Sequence, residues 1–191
     1  MKAVNLVRWC GVAAGVVGVV YIVLVLLSPE LFTSGAFVPE PLIDALLLIV
    51  LLGQVVGMAG VHVVQRSSGD RLGRTSSIIA LVGFACLLLL IAAAMTLHNL
   101  PVVLTMLLIL IGCFAPFVGL VLLGVAILRS QVFPRWVGAL FIVGLPAVVV
   151  IGIALGSSLF GVIVLGIFWL LVGYALLSSA GVQSQTATKE G

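Results

Sequence analysis

The amino-acid sequence predicts an all-α integral membrane protein in which six transmembrane helices form one bundle. Of the 191 residues, 64% are hydrophobic and only 7% are charged, whereas a soluble domain carries about 25% charged residues. The hydrophobic residues fall in six long blocks, and a membrane helix needs roughly 20 predominantly apolar residues. Few residues remain for loops, so residues 1–182 are predicted to be one membrane domain.

The predicted helices begin and end at residues that break or start helices. Pro29 ends the first helix, because the residue before a proline disfavours helical geometry. Pro41 suits the first turn of the second helix, where its missing N–H costs nothing. The predicted helices span residues 9–27, 42–64, 75–97, 102–128, 135–155 and 158–177. Residues 183–191 are polar and are predicted to be a disordered cytoplasmic tail.

All eight basic side chains fall on one side of the predicted membrane when the six helices alternate in direction. The opposite side carries Glu30, Glu40 and Asp44 instead. Because cytoplasmic loops carry the excess of Lys and Arg, the pattern predicts a plasma-membrane protein with both termini in the cytoplasm. The residues predicted to anchor the bundle at this interface are Arg66, Arg71, Arg74, Arg129, Arg135 and Trp136.

The placement of ionisable residues argues against several classes of function. No Asp, Glu, Lys or Arg lies deep inside a predicted helix, although such groups usually mark proton relays and ion pathways. His62 and His98 fall at opposite ends of the membrane, about 30 Å apart, so they cannot ligate one haem iron. The net charge of +3 lies in short loops that face lipid phosphates. The sequence therefore predicts contact with the lipid bilayer, and no cofactor, metal site or nucleic-acid partner.

One candidate catalytic cluster lies on the side opposite the basic loops. Glu40 and Asp44 are four residues apart at the start of the second helix and share a face, and His98 follows on the same side. Carboxylates with a histidine can bind a metal or perform general acid–base catalysis. Acidic residues at a helix N-terminus are also favoured by the helix dipole. The structural interpretation is preferred, and the residues favour a non-enzymatic protein without excluding an enzyme.

Three residues near the middle of the membrane are candidate substrate contacts. Gln54 is strongly polar, but an amide in a membrane helix can also bond to a neighbouring helix. Pro116 and Pro146 interrupt the fourth and fifth helices, as in some transporter sites, although transmembrane helices also tolerate proline for packing. Glycines at four-residue spacing are predicted to form helix-packing or oligomer surfaces: Gly11, Gly15, Gly53, Gly57, Gly152 and Gly156.

A short segment after the fourth helix resembles one found in small multi-helix membrane proteins of bacteria with no assigned function. The resemblance is carried by Arg129, Pro134-Arg135-Trp136 and Gly138. It implies a bacterial plasma-membrane protein and no particular activity.

Three hypotheses for function follow from the sequence. The first is a non-enzymatic accessory, assembly or immunity component that acts through helix–helix contacts with a membrane-protein partner or a second copy. The second is a carrier or channel for a small neutral or apolar solute. The third is a membrane enzyme that acts on a lipid-like substrate at the outer surface. The absence of polar catalytic groups inside the helices places the first hypothesis ahead of the others.

Overall fold

The computed structural model describes residues 2–27, 41–67, 69–96, 101–131, 133–154 and 158–189, which form six α-helices and no strand. The helices are α1 (Lys2–Leu27), α2 (Pro41–Ser67), α3 (Arg71–Thr96), α4 (Val102–Ser130), α5 (Arg135–Ala154) and α6 (Ser158–Lys189). Each predicted helix overlaps one of these elements. α1 begins at Lys2 because no helix breaker precedes Trp9, and α6 continues to Lys189 through the polar residues that the sequence assigns to a disordered tail.

Five of the described helices are long and apolar enough to cross a membrane. Their apolar spans are Val4–Leu26, Ala45–Arg66, Arg71–Ala93, Val102–Ser130 and Phe160–Ala180. In α5 the described apolar stretch is shorter, from Arg135 to Gly144. The prediction of an all-α membrane protein is confirmed, whereas the sixth crossing and the cytoplasmic position of the termini stay predictions.

The helices form a closed ring in chain order. Each helix packs against the next one along the chain, and α6 packs against α1 to close the ring. The packing is antiparallel: Gly11 near the start of α1 meets Gly173, whereas Gly18 further along α1 meets Gly166. The N-terminal end of α1 and the C-terminal part of α6 therefore lie at the same end of the bundle.

Glycine lines all six interfaces between neighbouring helices. At the α1–α6 interface, a methyl group added to Gly18 would lie 2.6 Å from the carbonyl oxygen of Gly166, so only glycine permits this approach. Glycines whose added methyl group would meet an adjacent helix are Gly11, Gly18, Gly53, Gly57, Gly60, Gly73, Gly83, Gly112, Gly119, Gly124, Gly138, Gly144, Gly161, Gly166 and Gly173. The predicted glycines at positions 11, 53 and 57 thus contact helices of their own chain.

The remaining predicted packing glycines behave differently. Nothing lies within 4 Å of a methyl group built on Gly15, although the one built on Gly173 would approach the Gly15 backbone nitrogen at 2.7 Å. Gly152 is helical but its surroundings lie outside the described structure, and Gly156 lies outside the described residues altogether. The predicted use of Gly152 and Gly156 is therefore untested.

All six arginines of the chain gather at one end of the ring, which we call the basic end. They lie at the start of α1, around the α2–α3 connection and around the α4–α5 connection: Arg8, Arg66, Arg71, Arg74, Arg129 and Arg135. Trp9 is exposed at this end, and Trp136 stacks on Tyr174 with ring centroids 6.4 Å apart. Aromatic and basic side chains are typical of a membrane–water interface. The opposite end of the ring is called the far end below.

Two connections at the basic end are defined by local hydrogen bonds. The Asp70 carboxylate accepts a hydrogen bond from the Leu72 N–H at 3.1 Å, which caps the N-terminus of α3. Gln131 has a left-handed backbone (φ 54°) and donates its N–H to the Ile127 carbonyl at 3.1 Å, which ends α4. These caps fix where the arginines emerge from the bundle.

Candidate functional site

Four aromatic side chains cross the interior of the ring near the middle of its helices. Phe84 of α3 packs edge-on against Trp169 of α6, with ring centroids 5.7 Å apart. Trp169 packs in turn on Phe168 at 5.6 Å, and Phe168 packs on Phe141 of α5 at 5.4 Å. Edge-to-face contacts at these distances are favourable for aromatic rings. We call Phe84, Phe141, Phe168 and Trp169 the aromatic layer.

Glycines on two other helices, α2 and α5, make room for the aromatic layer. A methyl group added to Gly57 of α2 would lie 3.0 Å from Cζ3 of Trp169, and one added to Gly144 of α5 would lie 2.5 Å from Cδ2 of Phe168. Trp169 is fully buried, although it reaches from α6 towards α2 and α3. The aromatic layer therefore fills the centre of the ring at this level, as far as the described residues define it.

Among the residues that the structure describes, the indole nitrogen of Trp169 has no hydrogen-bond partner, although the side chain is 0% exposed. A buried donor without an acceptor costs about 1–3 kcal/mol. Sequence reasoning did not single out this residue. The sequence does indicate that this tryptophan is unusual. Tryptophans of membrane proteins are enriched at the interfaces, whereas Trp169 falls midway along the apolar span Phe160–Ala180.

Gln54 lies beside the aromatic layer and joins α1 to α2. Its side-chain amide donates a hydrogen bond to the hydroxyl of Tyr21 at 2.6 Å, and Gln54 is 2% exposed. Tyr21 also faces α6, since a methyl group added to Gly166 would lie 3.2 Å from the Tyr21 Cβ. The sequence singled out Gln54 but not Tyr21. The pair provides polar atoms one helical turn from Gly57, towards the far end.

Packing of α3 and α4 loosens on the far side of the aromatic layer. In α3, Ala80 and Phe84 are buried, but every residue from 85 to 93 is half-buried or exposed. In α4, no residue from 102 to 111 is buried. On the basic side of the layer, by contrast, Leu120, Leu123 and Ile127 of α4 are fully buried. The described residues of α3 and α4 therefore pack tightly in the basic half and loosely in the far half, whereas Leu24 of α1 and Val50 of α2 are buried in the far half.

The two predicted mid-helix prolines lie near the level where this change occurs. Pro116 is buried in the α3–α4 interface, where its ring packs directly on Gly83. Pro146 is half-buried in α5, and Val148 in the next turn faces Gly161 of α6. Pro116 thus contacts α3, and the turn after Pro146 contacts α6. A proline removes a backbone hydrogen bond and bends a helix. Beyond Pro116 and Pro146, α4 and α5 can therefore pack against different neighbouring helices.

A second polar contact lies near the basic end, between α2 and α3. His62 Nδ1 and the Ser77 hydroxyl are 2.7 Å apart, and the same hydroxyl donates to the Arg74 carbonyl at 2.9 Å. Gln65 is buried one turn along α2 and fits over Gly73, where a methyl group would lie 2.7 Å from its Oε1. These groups join α2 to α3 and lie on the basic side of the aromatic layer, where the helices pack tightly.

The candidate catalytic residues fall outside the part of the chain that the structure describes. Glu40 and His98 are not among the described residues, and Asp44 is described only as part of the first turns of α2, without its side chain. The structure consequently neither assembles nor separates this cluster. The predicted interface anchors are exposed at the basic end, including Arg66, Arg135 and Trp136.

Comparison of the chain with protein families, with curated proteins and with solved structures finds no match. Any inference about function therefore depends on the geometry of this bundle alone.

Proposed function

We propose that this membrane protein is a non-enzymatic carrier or binding protein that takes up one small, largely apolar molecule in the far half of its bundle. The observation that carries the proposal is the loss of packing beyond the aromatic layer. The interior is filled by Phe84 and Trp169 at the layer, whereas the next turns of α3 are only half-buried. Protein interiors pack closely, so the loosely packed α3–α4 side of the far half, in an otherwise tight ring, is a candidate binding space.

The chemistry of the walls indicates which molecules fit this space. The described part of α3 beyond Phe84 is apolar, from Ala85 to Ala93. Polar atoms come from the Gln54–Tyr21 pair and from the indole N–H of Trp169, which has no acceptor in the described part of the chain. Apolar walls with a few hydrogen-bonding groups are typical of sites for small apolar ligands. A neutral molecule with a long apolar part and one acceptor group suits them best.

Two other hypotheses receive less support from the geometry. The partner surfaces that motivated an accessory role were glycine faces, but Gly11, Gly53 and Gly57 pack against helices of the same chain. A permanently open channel is disfavoured because the aromatic layer fills the centre of the ring. A carrier that opens and closes around the aromatic layer is compatible with the tight packing of the basic half and with the looser packing of α3 and α4 in the far half.

Native mass spectrometry of protein extracted gently from its own membrane tests the proposal. A small apolar molecule or lipid bound at a fixed ratio is the expected result. Leu88→Trp should reduce the bound fraction, because Leu88 is half-buried one turn beyond Phe84, while Leu89→Trp on the exposed face of α3 should not. The absence of any bound small molecule, or a co-purifying polypeptide at a fixed ratio, would overturn the proposal and favour an accessory role.

A further inference from the structure

One helical stripe of α4 changes from buried to exposed along its length. Residues at spacings of three and four share a face of a helix, and the stripe runs through Val102, Met106, Ile109, Cys113, Leu120, Gly124 and Ile127. Towards the basic end, Leu120 and Ile127 are 0% exposed. Beyond Pro116, towards the far end, Val102 is 71% and Met106 63% exposed. The same face is therefore covered in one half of the bundle and open in the other.

The covered part of the stripe faces α5. A methyl group added to Gly124 would lie 2.7 Å from the Gly138 carbonyl oxygen and 2.6 Å from Ile142 Cγ1, both in α5. The open part continues the line of this interface towards the far end. There α4 keeps its contact with α3, because Gly112 meets Leu87. The open stripe continues the α5-facing side of α4 into the far half, and we call this exposed strip the α4–α5 slot.

We propose that the α4–α5 slot admits the acyl chain of a membrane lipid, or of a lipid-like molecule, sideways from the bilayer into the far half of the bundle. This inference depends on the proposed function, since it assigns the ligand class and the entry route for the same binding space. The slot lies at the depth of the lipid chains, because Val102–Ser130 is a membrane span whose far half contains Met106 and Ile109. A chain entering there would approach the aromatic layer.

The residues of the slot favour a flexible chain over a partner helix. Each of the six described helix–helix interfaces contains glycine, which lets the backbones approach closely. The open part of the stripe, Val102, Met106, Ile109 and Cys113, contains no glycine and no alanine. Its larger side chains would hold a second helix at a distance, whereas methionine adapts readily to flexible apolar ligands. Residues 85–88 of α3, which packs against α4 at this level, are also half-buried and extend the apolar surface beside the slot.

Fluorescence quenching of Trp169 by brominated lipid tests the inference. The protein has three tryptophans, so Trp9→Phe with Trp136→Phe leaves Trp169 as the only emitter. The variant is reconstituted in vesicles of phosphatidylcholine that carries bromine near the methyl ends of its acyl chains, and in vesicles without bromine. Trp169 is fully buried inside the ring, and one helix diameter, about 10 Å, shields it from bulk lipid. Quenching in the brominated vesicles is expected, because a bound chain reaches the aromatic layer.

Two double variants of α4, one that blocks the slot and one matched control, test whether the lipid chain enters through the α4–α5 slot. Ile109→Phe with Cys113→Phe fills the open stripe and should abolish the quenching. Leu107→Phe with Ile111→Phe adds the same rings at the same spacing to another face of α4, where both side chains are exposed, and should leave it unchanged. Equal quenching in the blocked and control proteins, or no quenching in the starting protein, would overturn the inference.

Chemical blocking provides a second measurement that does not depend on folding of the blocked variant. Cys113 is exposed on the stripe, so a bulky thiol reagent added after reconstitution, with Cys10 and Cys86 replaced by alanine, should also abolish quenching. The same reagent on Phe114→Cys in a chain without other cysteines should not. If a small molecule co-purifies but slot blocking changes nothing, the proposed function stands and the lateral route fails. If nothing co-purifies and no quenching occurs, both fail.

Discussion

The side-chain amide of Gln54 donates a 2.6 Å hydrogen bond to the hydroxyl of Tyr21, which couples α2 to α1 beside the aromatic layer. Tyr21→Phe should destabilise the protein, because it leaves the buried amide of Gln54 without this acceptor. Interhelical hydrogen bonds in membranes contribute about 0.6–2 kcal/mol, and we expect a coupling energy of this size. Unfolding free energies of Tyr21→Phe, Gln54→Leu and the double variant measure it. Strictly additive effects would show that the bond contributes nothing to stability.

Gly18 and Gly15 offer a matched pair of substitutions in α1. A methyl group on Gly18 would lie 2.6 Å from both the Gly166 carbonyl oxygen and the Leu170 Cγ, so Gly18→Ala should separate α1 from α6. The expected loss is about 1–3 kcal/mol, as for other overpacked interiors. Gly15→Ala points into open space and should be neutral. Thermal unfolding of both variants in the same detergent is the measurement, and equal losses would contradict the described packing.

The positions of the helices could be predicted because their determinants are local. The proline at position 101 and the arginines at positions 71 and 135 lie where the apolar blocks stop, and α4 and α5 begin at the predicted residues. The gathering of all arginines at one end also follows from alternating helices of the predicted lengths. These features depend on length, polarity and the geometry of proline, which a single sequence displays.

The site could not be predicted to the same degree because it depends on the order of the helices. Tyr21 and Gln54 are 33 residues apart in the chain, and they meet only because α1 and α2 are neighbours in the ring. Trp169 contributes to the aromatic layer because α6 packs next to α1 and faces α3 across the interior. Packing glycines occur in all six helices, so their spacing does not reveal which helix faces which.

Trp169→Phe should distinguish a ligand with a hydrogen-bond acceptor from a plain hydrocarbon. The substitution removes the indole N–H, for which the described residues provide no acceptor, and retains an aromatic ring against Phe84 and Phe168. A neutral hydrogen bond contributes about 0.5–1.5 kcal/mol, so affinity for a fatty-acid methyl ester should fall about two- to tenfold. Affinity for an alkane of equal length should change little. Titrations with both probes provide the test, and equal losses would mean that the indole N–H does not contact the ligand.

The contact between His62 and Ser77 predicts the tautomer of the histidine. The Ser77 hydroxyl hydrogen is directed to the Arg74 carbonyl at 2.9 Å, so the hydroxyl oxygen is left to accept from His62. A neutral His62 should therefore carry its hydrogen on Nδ1. Nitrogen NMR of labelled histidine can identify this tautomer, with Ser77→Ala as the comparison. A proton on Nε2 would mean that Ser77 donates to the ring instead.

The sixth membrane crossing can be tested through the two ends of the chain. The start of α1 and the C-terminal part of α6 lie at the basic end, because Gly11 meets Gly173 there. If α5 crosses the membrane, both ends face the side that carries the arginines, which is the cytoplasm under the positive-inside rule. Reporter enzymes that are active only outside the cytoplasm should then stay inactive when fused to either terminus. A reporter that is active at one terminus alone would show an odd number of crossings and would remove α5 from the membrane-spanning set.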